Sequence, residues 1–390
     1  MPSSLTTLRS AARLLRWLSP WSPDNVMPSR VVQRSVQVKP LKPGDRPLEA
    51  WVYVPEGERP VGALLIAPGL FPRGPEDVRV DRISRVFASA GMVVLTPFLP
   101  DFMSLRLTPG VIDEMDRAFG ALLEQPEVPK DVRPGIFSIS FGSLPALRVA
   151  SAPHRAEQVG AIAVWGGYAD WRETMHFAFT GEVEGKRLYS YDPTNHPVVF
   201  MNLIEHMPDV PVDPEILIDR WRRFVLATWN KPDQKARFRE IARELAAELP
   251  EAGRKLFLIG CGAEEGGYEL CERILSVARN DFLDPRPSFT GLRCPVYLIH
   301  ARNDDVIPSN QLNKLYQAMP RNVAVSTYLT GVYGHSGGRG QGGGRLSLAP
   351  SLLREVQAMS GILLSLSRVG LQPHPRNSVR GPTSQPSIFQ

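Results

Sequence analysis

Apolar residues run consecutively, not alternately, through Val61–Ala67, Met92–Thr96, Val159–Trp165 and Cys294–Ile299, and Val132–Ser138 reads as a further strand. Runs of strand length that are apolar at every position are expected where a strand is covered on both faces. Between them the spacing changes to a helical one, over 79–90, Gly110–Glu124 and Phe141–Ala152. Two partly alternating stretches, Val31–Val38 and Leu48–Val54, precede the first run and are separated by Pro40–Pro47. After the last run the pattern gives a helix over Asn310–Met319, a strand over Val323–Leu329 and a helix over Leu348–Leu366. Strand and helix in this rhythm predict an α/β fold with a mostly parallel central sheet and helices on both faces.

The rhythm stops at Gly166-Gly167 and resumes near 290. The stretch 169–289 holds many aromatics, among them Trp171, Phe177, Phe179, Trp221 and Trp229, and helical segments over Gln234–Leu249 and Tyr268–Ala278. It reads as a helical cap inserted into a core made of 31–168 and 290–370. Residues 1–30 form a separate N-terminal segment. No acid occurs before Asp24; Leu5, Leu8, Ala12, Leu15 and Leu18 share one helical face, with Arg9, Arg13 and Arg16 along its flank. Such a helix over residues 1–22 can lie in a membrane interface as a peripheral contact, resemble an Arg-rich targeting segment, or pack on the domain. The tail, 371–390, is rich in Pro, Ser and Arg and is expected to be disordered.

One stretch carries chemistry. The run Gly135-Ile136-Phe137-Ser138-Ile139 ends in Ser140-Phe141-Gly142-Ser143, and a helix-compatible segment follows at once. A serine on a sharp strand-to-helix turn needs small residues two before and two after it. Those residues are Ser138 and Gly142, an S-x-S-x-G pattern with serine in place of the first glycine. A serine nucleophile also requires a base within hydrogen-bond reach, and that base an orienting acid. Asp304 stands four residues past the strand that ends at His300 and fits the acid better than its neighbour Asp305. Only His335 and His374 follow it; His335 sits in a Gly-flanked loop beyond the last strand, whereas His374 lies in the tail. Ser140, Asp304 and His335 therefore occur in the chain order Ser, Asp, His, each past the carboxyl end of a strand. An oxyanion needs backbone donors. The N–H of Phe141 is one, and the loop Pro68-Gly69-Leu70 offers Leu70, with Phe71 as the alternative.

On these residues the chain resembles the α/β-hydrolase superfamily. The resemblance covers roughly 47–168 and 290–368 and rests on Ser138–Gly142, Asn303–Pro308, Gly334-His335-Ser336 and the Pro68-Gly69-Leu70 loop. It departs from the family at Ser138, and at Pro68, where many members have histidine. Superfamily members commonly carry a helical cap in the place that 169–289 occupies. The resemblance implies a serine hydrolase acting on a carboxylic ester or thioester with an apolar moiety. An acyltransferase on the same scaffold and a non-catalytic binding protein of this fold are the alternatives.

Composition narrows the rest. In 390 residues, 43% are hydrophobic and 22% charged, enough for a large core. A net charge of +5 without a Lys/Arg run argues against nucleic acid as a partner. Three cysteines, Cys261, Cys271 and Cys294, lack metal or disulfide spacing and point to a reducing, cytoplasmic setting. Neither cofactor nor metal is expected. Gly338–Gly343 matches G-x-G-x-x-G but does not follow a strand, so a dinucleotide site is not expected there. Cys261, Glu264, Glu265, Cys271 and Glu272 match no zinc pattern. His176, His196 and His206 are expected to pack in the cap or line a pocket.

Overall fold

The structure is a computed structural model that describes residues 4–19, 21–23, 25–187, 192–332 and 349–374, with backbone alone at 4 and 349–353. Eight strands form the central sheet: β1 (Val31–Val38), β2 (Leu48–Pro55), β3 (Gly62–Ala67), β4 (Met92–Pro97), β5 (Gly135–Ile139), β6 (Ile162–Trp165), β7 (Val296–Ala301) and β8 (Val325–Thr330). Their order across the sheet is β1-β2-β4-β3-β5-β6-β7-β8. β2 is antiparallel to both its neighbours, and every pairing from β4 to β8 is parallel. The expected mostly parallel sheet is present.

The consecutive apolar runs are explained by two cores, one on each face. Ala63, Leu65 and Ala67 of β3 join one core, whereas Leu64 and Ile66 join the other. Ile162 and Val164 of β6 likewise part from Ala163 and Trp165. The period of two is intact, but both of its faces are apolar because both are covered. On one face lie the N-terminal helix Ser4–Leu18, the helix Val78–Ser89 and the C-terminal helix Ala349–Val369. On the other lie the helices Gly110–Leu123, Ser143–Ser151 and Gln311–Ala318.

Between β6 and β7 the chain builds helices over Trp171–Thr180, His196–Leu203, Pro214–Thr228, Phe238–Ala247, Glu251–Gly260 and Gly267–Val277. Their apolar residues, including Phe200, Trp221, Phe224 and Phe257, are continuous with the core that holds Ala63, Leu65 and Ala67. Polar ties fasten this segment to the sheet domain. The Gln311 side-chain carbonyl accepts the N–H groups of Ala169 at 3.0 Å and Asp170 at 2.9 Å. The Tyr168 hydroxyl donates to the Leu283 carbonyl at 2.9 Å.

The C-terminal boundary differs from the sequence expectation. Leu371 is buried, and Gln372–Pro373 pair antiparallel with Val132–Arg133. Order therefore extends past 370, because two short segments at the base of β5 satisfy one another's backbone groups. Residues 375–390 lie outside the described residues. No helix among the described residues is long and apolar enough to cross a membrane.

Candidate active site

β5 delivers Ser140 to the carboxyl edge of the sheet. Its φ is 55°, the left-handed region that a non-glycine L-residue enters only at a cost of about 1–2 kcal/mol. A single turn of 3₁₀ helix, Ser140–Gly142, follows, and the helix Ser143–Ser151 starts immediately. The elbow is this tight because the neighbouring strand-end loop presses on it. A Cβ on Gly142 would lie 2.9 Å from the Ala67 carbonyl carbon and closer still to the carbonyl oxygens of Ala67 and Pro68. A Cβ on Gly69 would lie 3.0 Å from the Ser140 Cβ. Both glycines are set by close approach.

Ser138 shows why serine substitutes for glycine on the other side. It is fully buried in β5 and its hydroxyl sits 3.4 Å from the Ala163 carbonyl, a long hydrogen bond at best. The space under the strand accepts one small polar group, whereas the space under Gly142 accepts nothing.

Asp304 lies just past β7 and is 2% exposed. One carboxylate oxygen, Oδ1, accepts the N–H groups of Val306 at 2.9 Å and Ile307 at 2.8 Å. The other, Oδ2, is 3.4 Å from Nε2 of the buried His300, which also faces the Ile307 carbonyl at 2.9 Å. Hydrogen bonds of this kind fix the carboxylate's plane. Asp305 faces outward instead and lines a cavity together with Ser140. Thr330, the last residue of β8, is paired with Ala301, so the chain leaves β8 at the same edge from which the Asp304 turn leaves β7. His335, five residues further on, lies outside the described residues, as does the Gly338–Gly343 stretch.

The fold is that of the α/β-hydrolases. The observations that decide it are the strand order, the single antiparallel strand β2 within it, and the left-handed serine between β5 and its helix. No protein-family profile matches the chain, and no curated protein matches it. Among solved structures, an acylaminoacyl peptidase of Pyrococcus horikoshii is 13% identical over 89% of this chain and 43% of its own, with a TM-score of 0.46. The esterase domain of a Rhodothermus marinus protein is 15% identical over 87% of this chain and 99% of its own, with a TM-score of 0.42. A dienelactone hydrolase of Anabaena variabilis is 12% identical over 87% of this chain and 97% of its own, with a TM-score of 0.43. The chain spans less than half the length of the peptidase.

In this α/β-hydrolase fold, sheet edge and cap enclose a cavity of about 570 Å³. Leu70, Phe141, Met175, Val198 and Val199 make its apolar wall. At its rim Arg79 is bidentate on Asp77 (2.9 and 2.8 Å), donates to the Asn230 side chain at 2.9 Å and lies over the Phe71 ring at 4.7 Å. One guanidinium thus ties the helix Val78–Ser89 to the segment between β6 and β7. Asn195 makes a second tie, donating to the Asp305 carbonyl at 3.3 Å. The Phe71 N–H is engaged by the Gly69 carbonyl at 2.9 Å, whereas Leu70 stands on the cavity wall.

Arg79, Asn195, Asn230 and His300 carry no motif. Only His300 left a sequence signal, as a lone polar residue closing an apolar strand. Cys261, Cys271 and Cys294 are buried and not in disulfides, and burial pushes Cys271 and Cys294 up to about 12, which suppresses their thiolates. Among the described residues no group of His, Cys, Asp and Glu could hold a metal ion. His176 pairs with Glu272 at 3.0 Å and His206 with Asn280 at 2.6 Å. His196 is buried against Phe179, ring centroids 4.2 Å apart, and burial lowers its pKa to about 4.

Proposed function

We propose that the protein is a serine hydrolase that cleaves a carboxylic ester or thioester with an apolar moiety. The observation that carries this reading is Ser140, strained into left-handed backbone at the carboxyl end of β5 and opening on the cavity. Strain of this kind is retained where the surrounding structure enforces it, and it marks functional positions.

In the proposed mechanism His335 takes the proton from the Ser140 hydroxyl as its oxygen attacks the acyl carbonyl carbon. Asp304 holds the imidazole in the tautomer that accepts at the serine side. The carbonyl oxygen becomes an anion, held by the N–H groups of Phe141 and Leu70. Collapse expels the alcohol or thiol, which leaves with the proton from His335. Water then gives a proton to the same histidine and attacks the acyl-enzyme; the acid departs and Ser140 recovers its proton. The engagement of Phe71 with Gly69 supports Leu70 as the loop's donor. The cavity's volume suits a small organic substrate; its Leu, Phe, Met and Val wall offers a surface for an apolar group, beside a charged lining of Arg79, Asp192, Lys231, Lys235 and Asp305.

A panel of chromogenic esters of increasing acyl length, run on the wild type and on Ser140→Ala, tests the reading. Turnover that rises with acyl length and vanishes in Ser140→Ala supports it. Wild-type protein that is folded and turns over no member of the panel, thioesters included, overturns it.

A further inference from the structure

We propose that the outward face of the N-terminal helix docks the protein on an anionic lipid surface. The helix Ser4–Leu18 is seated by Thr7, Ser10 and Leu14, which are buried, with Trp17 and Leu18 packed on the core beside them. The Ser10 hydroxyl donates to the Ala90 carbonyl at 2.8 Å, and Arg13 reaches Glu58 at 2.8 Å. The Trp17 carbonyl accepts from Arg82 at 2.9 Å. This leaves Leu5 and Leu8 at 58% exposure, Leu15 at 41%, and Trp21 beyond the helix at 73%.

A helix on a globular surface ordinarily turns its apolar stripe to the core. Here Leu14, Trp17 and Leu18 pack on it, and a second apolar stripe is left over. Leu5, Leu8, Ala12 and Leu15 fall on that stripe by helical spacing, and it points to solvent. Arg9 and Arg16 are exposed beside that stripe, and the helix contains no acid. Leucines with flanking arginines and a nearby tryptophan are the composition of a helix lying in the headgroup layer. The seat on the domain holds the helix ready, so docking need not order it. Charge selects the occupant. Two copies of this face would set arginines against arginines, whereas acidic headgroups supply the opposite sign.

Co-sedimentation of the full chain with phosphatidylcholine vesicles, with and without phosphatidylserine, tests the proposal. Wild-type protein should pellet with the phosphatidylserine vesicles, and added salt should release it. Leu8→Glu/Leu15→Glu changes only exposed positions, so its melting temperature should match the wild type while vesicle binding falls at least about tenfold. Arg9→Gln/Arg16→Gln keeps the apolar stripe and should lose the preference for phosphatidylserine. The proposal is overturned if the wild type stays in the supernatant with both vesicles, or if both double variants bind as the wild type does. A wild-type dimer that the leucine variant dissociates, without vesicle binding, assigns the face to a second copy and also overturns it.

Discussion

Replacing Gly142 by alanine sets two physical effects against each other. Gly142 has φ −59° and ψ −17°, ordinary right-handed backbone at the head of the helix Ser143–Ser151. Judged by backbone alone, alanine there should stabilise by about 0.5–1 kcal/mol, because it narrows the unfolded ensemble and prefers helix. The new Cβ, however, would sit 2.9 Å from the Ala67 carbonyl carbon and nearer still to two carbonyl oxygens. Ordinary contacts of a Cβ start near 3.4 Å, so strand end and elbow must separate by a substantial fraction of an ångström. The opposing atoms are backbone, held in the β3–β5 pairing, and cannot swing away like a side-chain tip. Overpacking of this kind costs about 1–3 kcal/mol and more against rigid neighbours. The steric effect wins, and Gly142→Ala should lose about 1–2 kcal/mol net, a fall of a few degrees in melting temperature. Because the atoms displaced belong to Ala67 and Pro68, the Leu70 donor should move with them. Labelling by a fluorophosphonate should then slow by up to about 10²-fold, the scale of losing one oxyanion donor. Calorimetry and labelling rates on one preparation check both effects. A variant more stable than the wild type that labels at the wild-type rate would refute the packing argument.

Three further outcomes are expected. Ser140→Gly should abolish labelling yet raise stability by up to about 1 kcal/mol, since glycine relieves the left-handed strain at a smaller entropic cost; a lower melting temperature would contradict this. Asp304→Asn keeps an oxygen for the Val306 and Ile307 N–H groups, so its thermal melt should match the wild type while kcat falls on the order of 10⁴-fold; a variant retaining most activity would remove Asp304 from the triad. His196 is held neutral with its pKa lowered from 6.5 to about 4 by burial. The unfolded chain therefore binds the proton first: stability is full above pH 6.5 and declines as pH falls toward 4, by about 3 kcal/mol in all. Urea melts across that window should show the decline in the wild type and a flatter profile in His196→Asn.

The sheet was legible in the sequence because its strands are covered on both faces, and a run such as Gly62–Ala67 is then apolar at every position. The direction of β2 was not, since nothing in Leu48–Pro55 distinguishes an antiparallel strand from a parallel one. In the cap, His196–Leu203 is buried on all sides and shows no helical periodicity, so its sequence reads as neither helix nor strand. At the elbow, spacing pointed to Ser140, but the left-handed backbone and the clamp of Ala67 and Pro68 over Gly142 arise only when two strand ends meet. The choice of Asp304 over Asp305 followed from spacing alone; that Asp304 is buried and accepts two backbone N–H groups, whereas Asp305 lines the cavity, had no sequence signal. Arg79, Asn195 and Asn230 join positions far apart in the chain and have no local signature. The N-terminal helix was legible as amphipathic, but not in its seating. A buried hydroxyl costs little once bonded, as Ser10 is to Ala90, so Thr7 and Ser10 could face inward beside Leu14, Trp17 and Leu18 while Leu5, Leu8 and Leu15 stayed exposed.

The central claim is that Ser140 is the nucleophile. Its most direct test is to treat the folded protein with a fluorophosphonate and locate the adduct by peptide mass spectrometry. The account predicts a single phosphonylated residue, Ser140, and no adduct in Ser140→Ala. A folded wild type that stays unlabelled, or one labelled at another residue while Ser140 remains free, would contradict it.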